Sequence, residues 1–125
     1  MIDKINPTHY NNGPFEAIEL CRLMTFNWGN VAKYAYRWQE KNGVEDLRKA
    51  LWYATDAYIR EIPIWADEDN FSFGIPLLKT LSKMNYAGLK DLWQALSVGS
   101  INLIVPILKK KSATCKPQKQ SEDAK

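Results

Sequence analysis

The sequence predicts an all-α fold, a small bundle of five or six helices built around one central antiparallel pair. Two observations carry this prediction. Between Trp28 and Tyr58, polar and apolar residues each recur at three- and four-residue intervals, the spacing of helical faces. The periodic runs are separated by Gly, Pro and Asn signals such as Asn42-Gly43, Pro63 and Gly99, which stop helices rather than continue them. Apolar residues make up 46% of the 125-residue chain and charged residues 25%, enough for a core in a single domain.

Taken in order, Asn6-Pro7-Thr8-His9-Tyr10-Asn11-Asn12-Gly13 reads as a polar loop. Pro14 is placed to begin a helix ending near Met24, with Phe15, Ile18, Cys21 and Leu23 on its apolar face. The central pair follows, joined by Lys41-Asn42-Gly43. Its first helix carries the polar stripe Asn30, Lys33, Arg37 and Lys41 opposite Val31, Tyr34, Ala35 and Trp38. Its second carries Asp46, Lys49, Tyr53 and Asp56 opposite Leu47, Ala50, Leu51, Ala54 and Tyr58, and runs to about Glu61. Asp67-Glu68-Asp69-Asn70 reads as an acidic linker, lacking the Gly and terminal Glu of a calcium loop. Pro76 then opens a helix with Leu77, Leu78, Leu81 and Met84, which Tyr86-Ala87-Gly88 breaks. Leu89, Leu92, Trp93 and Leu96 mark the next helix, and Ile101 to Leu108 a last apolar one.

Three units are therefore expected: a helical core over 1–64, an appended helical segment over 65–108 packing on it, and a disordered Lys-rich tail over 109–125. Six lysines from Lys109 onward face only Glu122 and Asp123, a balance of +4, so the first 108 residues sum to −1 although the chain is +3. The basic character belongs to the tail, where it aids solubility, and no specific nucleic-acid binding is expected. The N-terminus has no secretory apolar stretch, and Asn102 and Pro106 interrupt the longest apolar run, so a cytoplasmic protein with no membrane span is expected. Cys21 and Cys115 suggest no disulfide framework.

The chemistry is narrowed by what is missing. There is no Gly-x-x-x-x-Gly-Lys-Ser/Thr, no Cys/His metal spacing and no Ser-His-Asp set, with His9 the single histidine. What remains is the stripe Asn30, Lys33, Arg37 and Lys41, which offers mainly donors and positive charge and suits a phosphate or carboxylate. The bland alternative is a solvated helix face, or ion pairs from Lys33 and Arg37 to Glu16 and Asp46 locking helices together. Glu16 and Glu19, three apart, could share a divalent metal with Asp46 or Asp56.

The blocks Asn6-Pro-Thr-His9-Tyr10, Phe15-Glu16-Ala17-Ile18, Gly29-Asn30-Val31-x-Lys33-Tyr34-x-x-Arg37, Lys41 and Glu45-Asp46-Leu47-x-Lys49-Ala50-x-x-Tyr53 resemble a small phage protein family. That family includes a nucleotide kinase without a P-loop and many members of unknown function. The resemblance covers residues 6 to about 60; the link from Met24 to Trp28 looks shorter than in the kinase, and 65–108 has no counterpart in the motif. It implies nucleotide contacts from His9, Tyr10, Asn30, Lys33, Arg37, Lys49 and Tyr53, catalytic roles for Lys33, Arg37 and Asp46, and Mg²⁺ held through Glu16 and Asp46. The expected activity is phosphoryl transfer from a nucleoside triphosphate to a nucleoside monophosphate in a homo-oligomer located in the host cytoplasm. Its rivals are a non-catalytic protein that sequesters a nucleotide signal, and an interaction module docking through Trp65, Phe71, Phe73 and Trp93.

Overall fold

The computed structural model describes residues 13–114. These form six α-helices: α1 (Ala17–Cys21), α2 (Phe26–Arg37), α3 (Val44–Arg60), α4 (Glu68–Lys83), α5 (Lys90–Val98) and α6 (Ile101–Thr114), with a 3₁₀ turn at Tyr86–Gly88 between α4 and α5. No strand occurs among the described residues; an isolated antiparallel bridge joins Met24 to Trp65. The expected all-α bundle is therefore observed.

α2 packs along α3, α3 is backed by α6, and α4 lies against α5. One contiguous core runs through all of them, from Leu20 and Trp28 through Leu47, Leu78 and Trp93 to Ile104 and Leu108. The second half thus shares its core with the first.

Indole nitrogens tie the layers. Trp28 Nε1 donates to the Ile62 carbonyl at 2.8 Å, so the chain leaving α3 is held to α2. Trp38 Nε1 donates to the Ala87 carbonyl at 2.9 Å and Trp93 Nε1 to the Tyr86 carbonyl at 2.8 Å, fixing the 3₁₀ turn against α2 and α5. Tyr36 packs 4.5 Å from the Tyr86 ring and donates its hydroxyl to the Phe15 carbonyl. A buried indole satisfies its one donor in this way while burying a large apolar ring. Trp93, expected on a docking surface, is completely buried instead, whereas Phe71 and Phe73 are exposed.

Several boundaries differ from expectation for local reasons. α1 starts at Ala17 rather than Pro14, because Glu16 caps it in a reciprocal box with Glu19, whose carboxylate accepts the Glu16 N–H at 3.2 Å. Leu20 is its inward residue and Ile18 is exposed. α4 begins at Glu68, not Pro76: Asp67 accepts the Asn70 N–H at 2.8 Å as an N-cap, and Glu68 and Asp69 complement the helix's positive end. The acidic stretch is a helix start, and Pro76 sits on an exposed position inside the helix. α6 continues to Thr114, so Lys109, Lys110 and Lys111 are helical rather than tail. Tyr58, expected on the apolar face of α3, is exposed.

Two glycines mark close approaches. A Cβ on Gly29 would lie 3.0 Å from the Cys21 carbonyl oxygen, so the missing side chain lets the end of α1 rest on α2. A Cβ on Gly74 would lie 2.1 Å from the Trp65 ring, which crosses α4 at that point. Gly74→Ala is therefore expected to destabilise by about 1–2 kcal/mol, although alanine favours a helix by roughly 1 kcal/mol. A urea midpoint equal to or above the parent's would contradict this packing.

Candidate functional site

The antiparallel pair places the two polar stripes against each other along one seam. At the turn end, Arg37 Nε donates to Asp46 Oδ2 at 3.3 Å. Asn42 donates its backbone N–H to the same oxygen at 3.3 Å and its side-chain amide to Oδ1 at 3.4 Å. Asp46 is 0% exposed. It sits in the first turn of α3, where a carboxylate meets the helix's positive end. At the other end, Asn27 Nδ2 donates to the Tyr53 carbonyl at 3.1 Å and to Asp56 Oδ2 at 3.0 Å. Hydrogen bonds from Arg60 and then Asn27 hold the Asp56 carboxyl below its ordinary range.

The middle of the seam is aromatic and cationic. The Tyr34 ring has Arg37 Cζ 4.8 Å from its centroid, Lys33 Nζ at 5.0 Å and Lys49 Nζ at 5.4 Å. Tyr53 stacks on it at 6.1 Å with a 12° interplanar angle. Phe26 and Trp52 meet Tyr53 edge-on at 5.9 and 5.2 Å. Phe26 is 74% and Trp52 63% exposed, so the surface ends in two rings open to solvent. Arg37 is neutralised by Asp46, while Lys33 and Lys49 are exposed and make no ion pair with a described residue. An exposed cation–π contact is worth only about 0.5–1 kcal/mol, too little to satisfy an ammonium as an anion would. The seam can therefore offer two lysines to an anion beside an open aromatic surface.

Of the residues expected from the sequence, Lys33, Arg37, Lys49 and Tyr53 come together here. Asn30 is half-buried one turn away and donates its amide to the Phe26 carbonyl at 2.9 Å. His9 and Tyr10 lie outside the described residues. Asp46, expected in catalytic and metal roles, is sealed from solvent with both oxygens engaged, and Glu16 is in the cap of α1. That donor pair does not fit Mg²⁺ as arranged, and no group of three or more His, Cys, Asp or Glu among the described residues is placed to hold a metal. Burial pushes the Cys21 thiol up to about 11, against a lowering pull from Lys33, which favours the thiol over the thiolate near neutral pH.

Tyr34, Phe26 and Trp52 are not among the residues expected from the sequence. Periodicity assigned Tyr34 to the apolar face, yet its position between Lys33 and Arg37 within one helical turn was a usable signal.

No described helix is long and apolar enough to cross a membrane. Neither a curated protein nor a solved structure matches the chain. Residues 4–55 match the model of a protein family of unknown function, DUF3310, a stretch that takes in α1, α2, most of α3 and every seam residue from Phe26 to Tyr53.

Proposed function

We propose that the α2–α3 seam binds a nucleotide, its phosphate on Lys33 and Lys49 with Arg37 behind them, and its base against the surface formed by Tyr53, Phe26 and Trp52. The observation that carries this reading is the gathering of three cations around Tyr34 beside solvent-open rings. Ammonium groups bind phosphate by charge-assisted hydrogen bonds, and aromatic faces take up the base without regard to its identity. The resemblance of the same residue blocks to a small phage protein family that includes a nucleotide kinase supports the ligand class.

For the activity, binding without turnover is the reading we favour. Phosphoryl transfer needs chiefly positioning and charge stabilisation, which Lys33, Arg37 and Lys49 could supply. Asp46, however, is enclosed between Arg37 and Asn42 and presents no oxygen to a substrate. It serves the joint that positions Arg37. A protein that holds a nucleotide signal needs only the lysines and the rings.

Isothermal titration with nucleoside mono- and triphosphates checks this. Lys33→Ala and Lys49→Ala are each expected to weaken binding about tenfold, the loss of one charge-assisted hydrogen bond, with unfolding unchanged because both side chains are exposed. Unaltered affinity in the double variant would remove the seam as the site. Steady conversion of a triphosphate and a monophosphate to diphosphates, lost in Asp46→Asn with binding kept, would restore the kinase reading.

A further inference from the structure

A cleft of about 320 Å³ lies where the start of α5 meets the last turns of α6. Its walls include Asn85, Gly88, Lys90, Asp91, Lys110 and Lys111, three positive charges against one negative. None of the three lysines makes an ion pair with a described residue, and none of the seam cations lines the cleft.

One of these lysines is not where helix stability asks for it, whereas Lys111, in the last turn of α6, complements that helix's negative end. Lys90 is the first residue of α5, where the positive end of the helix disfavours a cation. Lys111 is half-buried, with its Nζ 5.9 Å from the centroid of the Trp38 ring. The same Nζ would be 3.6 Å from a Cβ placed on Gly88, so the backbone also closes on it. Its charge therefore lies against an indole and main chain, partly withdrawn from water, with two like charges sharing the cleft. Asn85 accepts the Lys90 N–H at 3.0 Å and fixes the facing wall. Gathering like charge in a concave, partly desolvated site raises its attraction for an anion. The volume is at the lower end of ligand pockets, roughly 300–1,000 Å³, which suits a phosphate or pyrophosphate group rather than a whole dinucleotide.

We propose that this cleft is a second anion site, which takes a phosphate or pyrophosphate group of a small molecule through Lys90, Lys110 and Lys111. It stands independently of nucleotide binding at the seam.

The test is a ¹⁵N-amide NMR titration of the full chain with pyrophosphate, inorganic phosphate and glycerol phosphate at constant ionic strength, with sodium chloride as control. Saturable shifts at Gly88, Lys90 and Lys111 are expected. Lys110→Glu with Lys111→Glu should raise the pyrophosphate midpoint about tenfold or more. Lys90→Gln, at an exposed position, should raise it several-fold and covers the case in which the double variant misfolds. A lower midpoint for glycerol phosphate than for inorganic phosphate supports the site with a phosphorylated metabolite as its ligand, and the reverse order supports it with free phosphate. Shifts that do not saturate, that sodium chloride reproduces, that persist in both variants, or that centre on Lys33 and Lys49 would overturn the proposal.

Discussion

Trp28→Ala is expected to lower stability by about 3–5 kcal/mol, the range for removing a large aromatic from a packed core. Trp28, on α2, is wholly buried in the core, and its indole anchors the Ile62 carbonyl at 2.8 Å. Truncation leaves a cavity and also an acceptor whose partner is gone, just where the chain turns from α3 toward α4. With whole-domain stabilities of about 5–15 kcal/mol, such a loss brings the protein close to unfolding at room temperature. Trp28→Phe separates the two contributions. It keeps most of the ring and forfeits the N–H, so about 1–2 kcal/mol is expected. Urea unfolding with an unchanged slope measures both. A loss below about 1 kcal/mol for the alanine variant would contradict the packing described.

Arg37→Ala is expected to cost about 2–3 kcal/mol, chiefly through what it does to Asp46. Removing one partner of a fully buried ion pair costs about 3–5 kcal/mol, because a charge is left enclosed and unpaired. The figure here is smaller because the Arg37 side chain is 31% exposed and Asn42 still donates twice to the carboxylate. Asp46→Asn should cost less, since Arg37 can turn to water and the amide oxygen still accepts one of the two Asn42 hydrogen bonds. A double-mutant cycle isolates the pair: the combined Arg37→Ala, Asp46→Asn protein should be more stable than the sum of single losses predicts, by about 1 kcal/mol or more. Strict additivity would mean that the pair does not couple.

The helical pair was legible because its signals agree. The periodic faces, Asn42-Gly43 and the acids opening α3 point to the same boundaries, and Glu61 ends α3 in the left-handed region with φ 56°. α4 differs from expectation because proline favours a helix's first turn, where its missing N–H costs nothing, whereas Pro76 lies inside α4 and the helix starts at the Asp67 cap, which resembles linker acid in sequence. The candidate site was half legible. Lys33 and Arg37 share a face of α2, and Lys49 and Tyr53 a face of α3, by spacing alone, which periodicity reads correctly. Asp46 belongs to the α3 stripe, but its carboxylate turns back onto Asn42 and is closed over by Arg37, an arrangement that a helical wheel does not contain. Tyr34 was placed by hydropathy, although its ring serves as much to gather cations as to fill a core.

The most direct measurement is a thermal-shift series on the full chain with mono-, di-, tri- and cyclic nucleotides, with and without Mg²⁺, alongside the Lys33→Ala, Lys49→Ala variant. A ligand at 100 times its dissociation constant stabilises by about 2.7 kcal/mol, several degrees for a domain of this size. Nucleotide binding at the seam predicts such a shift with at least one nucleotide, without need of Mg²⁺, and its loss in the double variant. No shift with any nucleotide, or an equal shift when both lysines are gone, would contradict it and leave the cations around Tyr34 as part of the helix joint.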